Sequence, residues 1–265
     1  MSTEVSIIFP NQLYKQHPAI VTNKPVYLLE EWHFFNQYQF HKEKLVLHRA
    51  SMKFYEQFLK DQGLVVQYIE SIETHNRIEL LLEKLHSNKV KKIHIVDPVD
   101  SWLLKKIKSS SKKYGIELTI YNCPNFLNSL NDVDAYFLTK KTYFQTDFYT
   151  WQRKSRNILL EKDGKPLGGK WTYDADNRSK FPKKELVPQI PAATSNKFVE
   201  EAEKYVQKNY TNNYGTINEK HLFAINFIDT EKWLEEFLKD RFEKFGIYED
   251  AIVVKQTVLH HSVLS

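Results

Sequence analysis

The sequence predicts an α/β fold: a five-stranded parallel Rossmann-like sheet with helices on both faces, followed by a linker and the start of an all-α domain. Two observations lead there. Short β-rich apolar runs alternate with stretches of helical period from Glu4 to Tyr121, and after Cys123-Pro124 the strand signal stops.

Glu4-Val-Ser-Ile-Ile-Phe9 reads as a buried strand, ended by the turn residues Pro10-Asn11. Lys24 to Leu29 is a second run of the same kind, closed by Glu30-Glu31. Lys42 to Asp61 is helical, because Val46, Ala50, Phe54 and Phe58 recur every fourth residue before the stop at Gly63. Leu64 to Ile69 is the third strand, and Arg77 to His86 is a helix carrying Ile78, Leu81, Leu82 and Leu85. Lys92 to Val96 is the fourth strand, closed by Asp97-Pro98. Helical Ser101 to Lys113 then leads through Gly115 to the fifth strand, Ile116 to Tyr121. From Phe126 to Arg156 aromatic and basic residues mix without a clean period, a pattern that suits helix interfaces and also base stacking. Lys183 to Ala193, with Pro182, Pro188 and Pro191, reads as an extended linker. Phe198 to Lys208 is helical. Asp229-Thr230 is expected to cap a last helix with an apolar face of Trp233, Leu234, Phe237, Leu238, Phe242 and Phe245. The expected divisions are 1–125 for the sheet, 126–196 for a connector and 197–265 for the start of a helical domain.

Composition narrows the function classes. The chain has 265 residues, 42% of them hydrophobic, enough for a core. Its single cysteine, Cys123, excludes an internal disulfide and any four-cysteine site made by this chain alone. There is no basic start followed by an apolar run and no apolar stretch of membrane-span length, so a cytoplasmic protein with no membrane partner is expected. A net charge of +5 allows nucleic acid without demanding it. Lysines cluster at Lys89 to Lys92, Lys105 to Lys113, Lys140-Lys141 and Lys180 to Lys184.

In a parallel sheet, ligands sit beyond the carboxyl ends of the strands, which places Asn11, Gln12, Glu30, Glu31, Asp97 and Asp100 on the rim. No Gly-x-Gly-x-x-Gly or Gly-Lys-Ser/Thr follows the first strand, so the rim must recognise ligands with side chains. Asn11 and Gln12 can pair with a heterocycle's edge, and Asn11 equally suits holding the turn. His41 and His48, seven apart, are too widely spaced for a helical metal pair and read as capping or surface residues. No catalytic triad or metal set is spaced along the chain. The densest chemistry is Gly168-Gly-Lys-Trp-Thr-Tyr-Asp-Ala-Asp-Asn-Arg178, where paired glycines free the backbone beside two rings and four charges. Such a loop staples parts of the fold together or binds something specific.

That loop resembles the Gly-Gly-Arg/Lys-Trp-Asn-Phe/Tyr-Asp-x-Glu-Asn-Arg signature of the photolyase-related proteins, the bacterial iron-sulfur cryptochromes and photolyases. The resemblance extends along the chain. Ile8-Phe-Pro-Asn-Gln-Leu13 is similar to their Leu-Gly-Asp-Gln-Leu. His41-Lys42 and Ala50-Ser-Met-Lys53 resemble their His-His-Lys-x-Lys and Ser-Ala-Met-Arg. Phe245 to Ala251 and His261-Ser-Val-Leu-Ser265 resemble the opening of their flavin-binding domain.

The resemblance implies, for an intact protein, light-dependent repair of pyrimidine photoproducts in DNA, six-four type, by electron transfer from reduced FAD, a DNA photolyase activity. Blue-light signalling and a non-catalytic nucleotide- or partner-binding module are the alternatives. It implies FAD and an iron-sulfur cluster in the intact family member, DNA as partner, and a further carboxy-terminal helical domain. His261, Ser262, Leu264 and Ser265 resemble part of the superfamily's flavin-phosphate element, with His in place of Thr. Asn11, Gln12 and Glu30 would line an antenna-chromophore pocket. There Pro10-Asn11 replaces Gly-Asp, and Phe34 stands where a pocket carboxylate is expected, which argues against lumazine in particular. Lys170 and Arg178 would contact DNA phosphate or clamp the domains. The chain alone is expected to hold none of these groups stably, to contain no catalytic residue and to be inactive.

Overall fold

The computed structural model describes residues 3–188, 195–217, 223–256 and 258–261. Glu4–Ile8 (β1), Val26–Leu29 (β2), Val66–Ile69 (β3), Lys92–Val96 (β4) and Glu117–Tyr121 (β5) form one sheet in the order β3-β2-β1-β4-β5. All four pairings are parallel. The helices are α1 (Trp32–Phe35), α2 (Lys42–Asp61), α3 (Ile78–Ser87), α4 (Ser101–Tyr114), α5 (Leu130–Phe137), α6 (Gln145–Ser155), α7 (Lys197–Asn209), α8 (Phe227–Glu236) and α9 (Phe242–Phe245).

Unbroken apolar runs mark strands covered on both faces. Central β1 and β4 are buried beyond their first residue, whereas no residue of the edge strand β5 is fully buried. Because neighbouring side chains of a strand point to opposite faces, β1 feeds two cores. Val5, Ile7 and Phe9 pack with Leu81, Leu82 and Leu85 of α3 and with Leu103 and Ile107 of α4. Ile8 packs on the other side with Leu45, Val46 and Tyr55 of α2 and with Val199, Ala202 and Val206 of α7. Burial of Val199 and Val206 alone is worth about 3 kcal/mol or more, enough to hold α7 against α2. Asn196 starts α7 by accepting the N–H groups of Phe198 and Val199.

Two compact units result: Met1–Asn125 with Ala192–Thr230, and Phe126–Pro191 with Glu231–Ser265. In the second, Ser129 and Asp132 form a capping box on α5. The rings of its mixed aromatic and basic stretch turn inward on one another, with Tyr136 and Trp151 at 4.9 Å and Phe137 and Phe148 at 4.9 Å. They make a helix interface.

The last helices differ from expectation. Asn226, not Asp229-Thr230, caps α8, its Oδ1 accepting the Asp229 N–H at 2.9 Å. Trp233 and Phe237 are buried, but Leu234, Leu238 and Phe242 remain 47%, 53% and 56% exposed. A π-turn at Phe237–Arg241 inserts an extra residue and rotates the face that follows. Residues 189–193 of the expected linker lie outside the described residues.

Candidate functional site

The strand order of the first unit reverses between β1 and β4, and the crevice beyond their carboxyl ends is where open parallel sheets receive ligands. Gln12 follows β1 in a turn closed by its own N–H on Phe9 O at 3.0 Å. Its side chain crosses the crevice and donates through Nε2 to Asp97 O at 2.8 Å, while Oε1 is buried without a partner among the described residues. Asn11 beside it is exposed.

Opposite, Val99 sits at φ +57°, where a β-branched residue is strained. Asp97 Oδ1 steadies it by accepting the Val99 N–H at 2.9 Å. Asp100 caps α4 through Oδ1, and its Oδ2 lies 3.6 Å from His33 Nε2. Trp102, 63% exposed, stands 6.2 Å from the His33 ring. The rim therefore combines an open amide, an open indole and an imidazole-carboxylate pair.

Glu30 and Glu31 turn inward from that rim and are fully buried. Glu31 caps α1 through the His33 N–H at 2.6 Å and reaches the Ile78 N–H at 3.4 Å. Desolvation pushes its carboxyl up to about 7. Glu30 accepts from Arg49 at 3.0 Å, Tyr68 Oη at 2.5 Å and the Ser71 N–H at 2.7 Å. Burial raises its pKa against the pull of Arg49, Tyr68 and Ser71. Arg49 also donates to Glu70 and Glu201 and lies over the Tyr205 ring at 3.3 Å. The cluster ties β2, β3, α2 and α7 together around the buried Glu30 carboxylate. His41 caps α2 by accepting the Glu43 N–H at 3.2 Å. His48 packs between Phe34 and Phe35 rather than on the surface, and burial lowers its pKa to about 4.

In the second unit the Gly168 to Arg178 loop is gathered by Arg153 of α6, a residue that is itself buried. Its guanidinium donates to the carbonyls of Ile158, Leu159, Lys170 and Trp171. The Trp171 ring lies 5.3 Å from that guanidinium and 4.7 Å from Lys154 Nζ. Gly168 and Gly169 take φ of +76° and +77°, and Tyr173 Oη donates to Gly168 O at 3.1 Å. Further along, the Asp250 N–H reaches Asn177 O, the Ser179 N–H reaches Ile247 O, and Arg178 Nε lies 3.6 Å from Asp250 Oδ2. Lys170 pairs with Asp176 at 3.2 Å, and both Lys170 and Arg178 stay exposed.

A cleft of about 620 Å³ opens beside Arg178, Lys180, Lys183 and Glu185 on one wall and Asp250 to Val254 on the other. His260, stacked on Phe181 and tilted against Tyr248, each at 5.9 Å, is buried with Nε2 3.9 Å from Glu185 Oε1 and neither ring nitrogen hydrogen-bonded among the described residues. His261 Nε2 donates to Ala251 O at 3.1 Å. Ser262, Leu264 and Ser265 lie outside the described residues. The sequence reading missed Arg49 and Arg153. For Arg49 the signal was a cation between Val46 and Ala50, inside an apolar helix stripe.

Among the described residues no cluster of three or more His, Cys, Asp or Glu is arranged for a metal, and no helix is long and apolar enough to cross a membrane. A family model described as deoxyribodipyrimidine photo-lyase-related protein matches residues 6–222. An uncharacterized protein of Acanthamoeba polyphaga mimivirus is 32% identical over 191 residues, 68% of this chain and 96% of the viral protein. A protein of Agrobacterium fabrum named (6-4) photolyase is 24% identical over 231 residues, 85% of this chain and 45% of that protein. The chain thus spans less than half of the photolyase it matches.

Proposed function

The chain belongs to the deoxyribodipyrimidine photo-lyase-related family, and from that premise we propose that it is the amino-terminal part of a flavoprotein that uses light to repair pyrimidine photoproducts in DNA, six-four type first among them. The likeness over 231 residues to a protein named (6-4) photolyase carries this reading. A reduced flavin, when bound, supplies the light-excited electron for such a repair.

The chain's own residues bind and position. Arg178, Lys180 and Lys183 line the cleft with cations that suit phosphate oxygens. His260, buried without a hydrogen-bond partner among the described residues, is the kind of polar group that a ligand atom satisfies. His261, Ser262, Leu264 and Ser265, which resemble the flavin-phosphate element in sequence, would help to hold the flavin phosphates. Lys170 and Arg178 offer exposed charge to DNA or hold the neighbouring chain. An iron-sulfur cluster does not fit these 265 residues alone, whose one cysteine supplies at most one of the four thiolates; other cysteines would have to come from a longer protein. An antenna chromophore would lie at the β1–β4 crevice, with Asn11 at its lip, Gln12 offering the spare Oε1 and Glu30 supporting from behind. A further helical domain completes the flavin pocket, the protein works in the cytoplasm, and this chain alone is inactive.

The mimivirus relative, nearly all of whose length this chain covers, favours a second reading, a non-catalytic nucleotide- or partner-binding module. The deciding experiment uses the product of the whole gene and an oligonucleotide with one six-four photoproduct. Blue light is expected to restore the two pyrimidines. Flavin bound without repair favours signalling; neither flavin nor repair favours the module.

A further inference from the structure

Helix α4 differs from its neighbours in charge. Ser101–Tyr114 holds Lys105, Lys106, Lys108, Lys112 and Lys113 and no acidic residue. Helices α2, α3 and α7, by contrast, carry Glu or Asp beside their lysines. One face of α4 is buried through Leu103, Ile107, Ser110 and Ser111. Lys105, Lys108 and Lys112, spaced i, i+3, i+7, run along the opposite, exposed face, with Ser101 one turn before them and Ser109 among them. These residues line a shallow groove of about 450 Å³.

Lys106, on the flank, is matched by Glu79 at 3.3 Å. No carboxylate among the described residues pairs with the other three. A helix dipole favours cations in the last turn and so accounts for Lys112 and Lys113, but not for Lys105, one turn from the start. Three like charges spread over roughly 10 Å of helix repel one another, and an anionic partner reverses that repulsion.

We propose that the outer face of α4 is a contact surface for the phosphate backbone of a nucleic acid. Its neutral donor favours this partner over an acidic protein, since the Ser101 hydroxyl adds a hydrogen bond to a phosphate oxygen beside the lysines, while the Ser109 hydroxyl donates to Lys106 O at 3.0 Å. Exposed Trp102, three residues before Lys105, adds a flat ring for a base or sugar. The surface needs neither flavin nor light and so goes beyond the repair reading.

The test is fluorescence anisotropy of a labelled duplex of about 20 base pairs with the full chain in the dark, over a series of salt concentrations. The triple variant Lys105→Gln, Lys108→Gln, Lys112→Gln is expected to bind at least ten-fold more weakly at about 0.1 M salt, with the slope of log K on log salt reduced by about 2 to 3. The triple variant Lys197→Gln, Lys204→Gln, Lys208→Gln on α7, with the same charge change, is expected to stay within about two-fold of the parent. No duplex binding by the parent chain, no loss in the α4 variant, or an equal loss in both variants overturns the proposal. So does an α4 variant that loses affinity for polyglutamate and not for the duplex, which would assign the face to an acidic protein.

Discussion

Arg49 Nη1 donates to Glu30 Oε1 at 3.0 Å with both side chains sealed from water. A buried pair of this kind contributes little beyond its desolvation cost, but removing one partner leaves the other charge stranded. Arg49→Met is therefore expected to cost about 3–5 kcal/mol, because Glu30, Glu70 and Glu201 lose their shared cation. Glu201→Gln, at a carboxylate 44% exposed, should cost about 1 kcal/mol or less. Adding Glu30→Gln to Arg49→Met should restore part of the loss. Urea unfolding measures all three, and an Arg49→Met chain within about 1 kcal/mol of the parent would show that the cluster does not anchor α7.

Gly168 and Gly169 share nearly the same left-handed backbone but not the same surroundings. A Cβ on Gly168 would overlap Tyr173 Oη, whereas one on Gly169 would meet nothing within 4 Å. Gly169→Ala should cost only the backbone strain of about 1–2 kcal/mol, and Gly168→Ala should cost more. Tyr173→Phe removes the obstructing hydroxyl and should bring the two alanine variants together. Hydrogen exchange over 158–178 reads the effect; equal protection loss for both alanines on the Tyr173 background would sink the idea.

The sheet was legible because its evidence is local. Ile7, Ile8 and Ile93 to Val96 sit in runs that only a doubly covered strand explains, and the period of Leu81, Leu82 and Leu85 sets the helix face. The left-handed glycine pair and the capping role of His41 could likewise be read from residue type. The partners of Glu30 could not. Arg49 is 19 residues away and Glu201, bound to the same guanidinium, is 152 from Arg49; such contacts leave no periodic trace. Apolarity likewise misled at Leu238 and Phe242, where a π-turn shifts the face, and at Leu234, which stands in the open before that turn.

Acid should weaken the first unit, and His48 should account for much of it. Burial holds His17 and His48 near 4, below their ordinary 6.5, so the stability they contribute is whole above about 6.5 and drains away as pH falls toward 4. Glu31 works the other way. With its carboxyl near 7 instead of 4.5, its contribution is whole below about 4.5 and is lost as pH rises through 7. Each shift corresponds to roughly 3 kcal/mol at full extent, so among these three groups the two histidines lose most of theirs between pH 7 and 4.5 while Glu31 gains, a net loss of about 2 kcal/mol. His48→Leu removes one loser and should leave the urea midpoint nearly flat across that window, and Glu31→Gln should steepen its fall. A His48→Leu chain with the parent's pH slope would mean that the imidazole between Phe34 and Phe35 is already free to take up a proton in the folded state.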